Sequence, residues 1–270
     1  MNQRDIDLLK LQRDLRFFPA VSRPLKRLTP EQVNDYNKNG YLTGFRVLNP
    51  AQTQGARERS DALLERFIRE GKGSYAIDGY QDRLATLWDL ATTPSILDLV
   101  EDLLGPDLVC WATHYFCKMP GDTKAVAWHQ DCSYWPLTPS KTVTVWLAID
   151  DVDRENGCMR VIPRSHLNGH LQFRGSDPGE QNVLSQTIEG AERFGVPTDI
   201  ELKAGEISLH SDLLIHGSLA NLSARRRCGL TLRYCPTDVR AYWDANKISI
   251  ICRGSDPTGH WANAPRPQEG

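Results

Sequence analysis

Trp128-His129-Gln130-Asp131 sets an imidazole and a carboxylate two residues apart, the spacing at which side chains of an extended strand share one face. A neutral ring nitrogen and a carboxylate oxygen are two of the three ligands of the 2-His-1-carboxylate arrangement, which grips a ferrous ion on one side and leaves open positions on the other. The third ligand has to come from elsewhere in the chain. His216, in Leu214-Ile215-His216-Gly217-Ser218, is the candidate, and Arg227 follows eleven residues later.

Spacing alone does not decide the matter. Seven histidines, each with a chance of roughly 0.06 of an Asp two residues on, give about 0.4 such pairs by accident. A second pair does occur, at His210-Ser211-Asp212. A His and an Asp paired on a half-buried strand, with no metal, is therefore the competing reading, and the surroundings have to choose.

The elements that must position these groups come in two textures. Up to about residue 107 the chain reads as a mainly helical preface. Thr29-Pro30-Glu31-Gln32 supplies an N-cap and a proline at the first helical position, and Asn39-Gly40 stops that helix before Tyr41. Apolar residues from Gln52 to Glu70 recur at helical spacing, and a third helix runs from Thr93-Pro94 to Gly105-Pro106, with Ile96, Leu97, Val100, Leu103 and Leu104 on one face. From Leu108 the pattern changes to strands: Leu108 to Lys118, Thr142 to Ile149, Cys158 to Pro163, Ile200 to Lys203, Glu206 to His210, Leu213 to His216, Cys228 to Cys235 and Ile248 to Arg253. The stretch 169–197 is polar and poorly periodic, the texture of a lid or binding loop. A helical preface (1–107) packed on a double-stranded β-helix core (108–253), with a C-terminal tail (254–270), is the expected organisation of one domain, 1–270. This is a mainly β, cupin-like jelly roll, whose facing sheets enclose a cavity that can take ligands from separate strands.

Composition narrows the partners. A formal charge of -2 with 24% charged residues offers no basic field for nucleic acid. Arg225-Arg226-Arg227 is the one tight basic cluster, and its first two members read as turn residues. The start of the chain lacks the apolar run of a signal peptide, and no 18-residue apolar stretch suits a membrane span. Seven cysteines are scattered without a Cys-x-x-Cys pair, as expected of reduced core residues in a cytoplasmic protein. A small molecule is the expected partner, and the protein is expected to be a monomer or a homo-oligomer.

The block Trp128 to Pro163 resembles the phytanoyl-CoA dioxygenase family of iron(II)- and 2-oxoglutarate-dependent oxygenases. The matching residues are Trp128-His129-Gln130-Asp131, Tyr134-Trp135-Pro136, Trp146, Glu155-Asn156-Gly157-Cys158-Met159 and Ile162-Pro163-Arg164-Ser165-His166. Downstream, Ala204-Gly205-Glu206, His216-Gly217-Ser218, Asn221 and Arg227 fall at the family's spacing. One departure stands out: Arg164 occupies the glycine position of the family's Gly-Ser-His continuation.

The resemblance implies that His129, Asp131 and His216 bind Fe(II), with 2-oxoglutarate and O2 as co-reactants, and that Arg227 clamps the distal carboxylate of 2-oxoglutarate through its two parallel donors. Ser218 is expected to add a hydroxyl to that carboxylate, although a Ser after a Gly is also an ordinary turn residue. Trp146 and Tyr115 are expected at the wall of the cosubstrate pocket, core packing being the alternative for both. Asn221 reads as a turn former. For the substrate, Tyr134 and Trp135, with Tyr242 and Trp243, could line an aromatic pocket or simply pack. His114, Lys118, Arg160 and Arg164 are candidates to contact an anionic group, Arg164 being equally readable as a turn residue. No feature singles out an acyl-CoA.

The implied reaction is hydroxylation of a C–H bond of a small-molecule metabolite, coupled to decarboxylation of 2-oxoglutarate to succinate. Asp131 fills the position that halogenating relatives leave open for halide. Desaturation or cyclisation from the same site, a catalytically silent jelly-roll metal- or ligand-binding protein, and a cupin using another metal without 2-oxoglutarate remain as alternatives. Arg227 and Ser218 weigh against the last.

Overall fold

The computed structural model describes residues 2–268 apart from Ser22 and Pro178; Met1, Glu269 and Gly270, which complete the expected domain, lie outside the described residues. Prolines at the first turn open three of the helices: α2 (Pro30–Asn39), α3 (Pro50–Arg69) and α5 (Pro94–Leu104), which follow α1 (Gln3–Lys10) and flank α4 (Ala85–Ala91). A proline there gives up a donor that has no intrahelical partner anyway. α3 starts two residues earlier than its apolar periodicity predicts, because Asn49 caps it by accepting from the Gln52 amide at 2.9 Å. The polar first residues, which showed no apolar stripe, form α1 through a reciprocal cap between Asn2 and Asp5.

Strands follow in the order β1 (Tyr41–Arg46), β2 (Leu108–Lys118), β3 (Val126–His129), β4 (Leu137–Thr138), β5 (Val143–Ala148), β6 (Met159–Val161) and β7 (Arg174–Gly175). Then come β8 (Gln186–Thr187), β9 (Thr198–Ile200), β10 (Glu206–Ser211), β11 (His216–Ser218), β12 (Arg227–Pro236), β13 (Arg240–Ala241) and β14 (Ile250–Arg253). A six-stranded sheet, β1-β10-β5-β12-β2-β14, faces a four-stranded sheet, β3-β11-β6-β9. This is the jelly roll expected from the strand texture. Three differences are informative. The preface contributes β1 to the large sheet, pairing with β10. β11 begins at His216 rather than ending there. The C-terminal tail is docked: Trp261 is buried and donates its indole N–H to the Val239 carbonyl at 3.1 Å.

The large sheet separates two environments. Val143, Val145 and Leu147 of β5, Leu230 and Leu232 of β12, and Tyr115 and Cys117 of β2 pack with α3, α4 and α5 in one apolar cluster. Alternate residues of the same strands, Thr144 and Trp146, Thr231 and Arg233, face the small sheet. The irregular stretch 169–197 is organised by β7 and β8, and Ile188 at its centre donates to the Trp128 carbonyl at 2.8 Å, tying it to β3.

Arg164 sits at φ +72°, ψ −5°, in the left-handed region, which costs an L-residue roughly 1–2 kcal/mol and glycine almost nothing. The family's glycine at this position has a backbone reason. Arg164 is exposed and lines neither cavity described below, which favours its turn reading over contact with an anionic substrate. Arg164→Gly should raise unfolding free energy by up to about 1 kcal/mol and leave turnover unchanged, as read by urea unfolding and succinate release.

Candidate metal centre

β3 and β11 pair antiparallel with His129 directly opposite His216, so both rings leave the small sheet on its inner face, 4.1 Å apart between centroids. Each Nδ1 lies against a carbonyl two residues upstream, Ala127 O at 2.9 Å and Leu214 O at 3.0 Å. A carbonyl oxygen only accepts, so each Nδ1 carries the proton and each Nε2 keeps its lone pair. Those lone pairs meet at Asp131: Oδ1 is 3.7 Å from His129 Nε2 and 3.8 Å from His216 Nε2. The three ligand atoms all lie within 4.8 Å of one another, and the three residues are buried.

Asp131 arrives there by a different route from the one its spacing suggests. The strand ends at His129, and Asp131 opens a 3-10 turn, Asp131–Ser133. Gln130 is still extended (φ −114°, ψ 132°), which preserves the shared face across the junction. Thr144 donates its hydroxyl to Asp131 Oδ2 at 2.9 Å, leaving Oδ1 for the histidines. Burial and the neighbouring His129 lower His216 well below its ordinary value, so it stays neutral, the state a metal ligand needs.

The second His-Asp pair diverges. His210 on β10 faces the site, with Nε2 3.5 Å from Asp131 Oδ2 and neither ring nitrogen hydrogen-bonded. Asp212 instead accepts from Ser140 Oγ at 2.8 Å, and burial pushes its carboxyl up to about 7.

An anion site adjoins the cluster in the same cavity. Arg227, 2% exposed, lies 5.0 Å over the Trp146 ring. No carboxylate stands within ion-pair distance of it among the described residues, and neither its Nε nor the nearby Ser218 Oγ has a hydrogen-bond partner. A guanidinium buried without a counterion is costly. These orphaned donors beside a set of N and O ligands fit a dicarboxylate that reaches from Arg227 to the metal position.

The other expected residues divide cleanly. Trp146 and Ser218 line the cavity. Tyr115 does not: it points to the helical side and its hydroxyl bonds Ser60 Oγ at 2.9 Å, because its parity on β2 is that of Cys117, not of Phe116. Tyr134, Trp135 and His114 line a second cavity, contiguous with the first through Phe116, His129, Asp131 and Arg233. Tyr134 accepts from the Gln186 amide at 3.0 Å, and His114 is held by the Tyr75 carbonyl at 2.8 Å. Lys118 is tied to the Lys124 carbonyl, Arg160 to Asp199, and Tyr242 to the Gln12 carbonyl, while Trp243 is half exposed. Thr144 and Arg233 were missed, although parity with Trp146 and Arg227 on their strands was a usable signal.

Gly229 on β12 leaves room for Trp146: a Cβ there would stand 1.9 Å from the indole ring. Gly229→Ala should drive the indole toward Arg227, weakening 2-oxoglutarate binding about tenfold or more and costing roughly 1–3 kcal/mol of stability, measured by anaerobic titration and by denaturant unfolding.

Comparison with known proteins bears on this geometry. Residues 36–229 match the family model described as phytanoyl-CoA dioxygenase. A phytanoyl-CoA dioxygenase of Arabidopsis thaliana is 35% identical over 259 residues, spanning 78% of this chain and 90% of that protein. The L-proline trans-4-hydroxylase of Streptomyces griseoviridis is 26% identical, over 74% of this chain and 83% of that protein. Among solved structures, the non-heme monooxygenase ThoJ in its apo form superimposes with a TM-score of 0.73 at 26% identity, covering 87% of this chain and 88% of that one. The chain belongs to the phytanoyl-CoA dioxygenase family and is an iron(II)- and 2-oxoglutarate-dependent dioxygenase.

Proposed function

We propose that His129, Asp131 and His216 hold the iron, that Arg227, Ser218 and Trp146 hold 2-oxoglutarate, and that the enzyme hydroxylates a C–H bond of a small-molecule metabolite. The observation that carries this reading is the convergence of two imidazole lone pairs and Asp131 Oδ1 beside a buried, unpaired guanidinium. The overall exchange is R–H + 2-oxoglutarate + O2 giving R–OH + succinate + CO2. Bound iron supplies the activation of O2, with electrons from the decarboxylation.

The residues do the rest. Ala127 and Leu214 carbonyls fix both imidazoles in the ligand tautomer. Thr144 holds Asp131 so that one oxygen faces the metal position. Arg227 sets the distance of the cosubstrate by fixing its far carboxylate, and the face of Trp146 keeps water from that charge pair. Asp131 occupies the position that a halide would need, which supports hydroxylation over halogenation.

The same proposal covers a single domain acting on a small molecule, with neither nucleic acid nor membrane as partner. No helix among the described residues is long and apolar enough to cross a membrane. Seven free cysteines, six of them buried, support a reducing, cytoplasmic setting. The proline hydroxylase relative supports a small substrate.

Anaerobic addition of Fe(II) and 2-oxoglutarate should produce a visible metal-to-ligand charge-transfer band. Asp131→Ala should abolish it. Arg227→Ala should raise the 2-oxoglutarate Kd at least about 30-fold, the loss expected when one partner of a buried charge pair is removed. A band of unchanged strength and midpoint in either variant overturns the assignment of that residue.

A further inference from the structure

β12 presents two arginines to the interior, Arg227 at its start and Arg233 six residues on, about 20 Å along an extended strand. Arg227 serves the cosubstrate end of the cavity. The cosubstrate's far carboxylate is assigned to Arg227, so the second guanidinium needs another explanation.

Arg233 is 9% exposed. Its guanidinium carbon lies 5.1 Å from the centroid of the Trp135 ring and 6.0 Å from that of Trp111, faces that attract a cation but accept few hydrogen bonds. Its Nε has no partner. Among the described residues the one carboxylate in ion-pair range is Asp78, at a loose 3.9 Å from Nη1, more than half exposed and also facing His114. A planar fork of donors is thus held by aromatic walls with its hydrogen-bonding capacity unspent.

The position of that fork matters more than its isolation. Arg233 lines both the metal cavity and the adjoining cavity of about 480 Å3, the scale of a small-molecule site. The walls of this second cavity include Trp111, Tyr134, Trp135 and Phe116, and its lining carries Asp5, Asp78 and Asp244 besides the proposed metal ligand Asp131. Three carboxylates oppose a dianionic head group, whereas a monoanion meets one unspent cation. Arg4 is the other arginine in the lining, too little positive charge for the phosphates of a CoA thioester.

We propose that Arg233 receives the carboxylate of the primary substrate, so that the enzyme oxidises a C–H bond of a small monocarboxylic acid whose apolar body lies among Trp111, Tyr134 and Trp135. This rests on the oxygenase reading of the site and names the chemical class that the site takes. Arg233 anchors one end of the substrate, and because the two cavities share Phe116, His129 and Asp131 as walls, the neighbouring carbon is directed toward the metal position.

The test compares acids with neutral isosteres. Pentanoate, octanoate, phenylacetate and 3-phenylpropionate, each beside its primary amide, with phenylphosphonate as the dianion, are titrated calorimetrically into the anaerobic protein loaded with Fe(II) and 2-oxoglutarate. At least one acid should bind about tenfold or more tighter than its amide, the discrimination expected of a charged, buried hydrogen-bond site. Arg233→Gln should erase that preference in protein that still forms the charge-transfer band with Fe(II) and 2-oxoglutarate. Should Arg233→Gln fail to fold, Arg233→Lys keeps the charge without the fork and should weaken the acid preference several-fold. Three results overturn the inference: no acid preferred over its amide, a preference that survives both variants, or a loss of 2-oxoglutarate affinity like that of Arg227→Ala. Tighter binding of the phosphonate than of any acid overturns the monoanion assignment. Absence of the band in the wild type counts against the oxygenase reading instead, and the acid-to-amide comparison on the metal-free protein then decides the role of Arg233 separately.

Discussion

The register of β3 against β11 is the constraint on which the centre depends. His129 stands opposite His216, and a slip of one residue would turn one of the rings out of the cavity. Close approach of the two backbones makes the pairing possible. Gly217 follows His216, and a Cβ there would fall 2.6 Å from the Val126 carbonyl. His216 and Ser218, two residues apart on β11, bring both the ring and the hydroxyl into the same cavity, and the accompanying bulge falls on β3, where Val126 stands opposite Ser218. Asp131 is then positioned by a turn that starts where β3 stops, so three ligands come from two strands and one turn without a long loop.

The large sheet supplies the second layer of order by sorting residues according to parity. On β5 and β12, alternate positions go either to the helices or to the site, and the dry helical side anchors the sheet while the polar side carries chemistry. Along β2 the sorting is interrupted near Trp111, where the pairing with β12 shifts between Arg233 and Tyr234. Trp111 and Ala112 thereby both reach the aromatic cluster that holds Trp135, and Tyr234 turns to the helices, where its hydroxyl bonds the Ala91 carbonyl.

Much of this was legible in the sequence, for definite reasons. Caps and prolines announced α2 and α5, β-branched runs announced β5 and β12, and the family's ordered matches pointed to His129, Asp131, His216 and Arg227. What escaped was whatever depends on partners distant in the chain. Tyr115 was misassigned because periodicity shows which residues share a face but not which face is the site. Thr144 and Arg233 belong to the site only through what stands opposite them. The turn role of Arg164 needed a backbone angle, and the strand in Tyr41–Arg46 needed β10 to pair with. Side chains that read as generic aromatics, Tyr134 and Trp135, did reach the second cavity, whereas Tyr242 and Trp243 did not.

The pairing of β1 with β10 also bears on how the molecule is made. Tyr41 meets His210, and farther upstream Arg13 donates to the carbonyls of Cys132 and Trp135 beside the Asp131 turn. During synthesis the early segments leave the ribosome long before their partners exist, and the apolar faces of α3 and α5 have no sheet to cover them. Such non-local wiring makes folding slow and leaves sticky intermediates. Assembly must wait until β12 has emerged between β5 and β2, so the yield of active enzyme in a cell should depend on translation pace and on chaperones that shield the helical preface in the meantime.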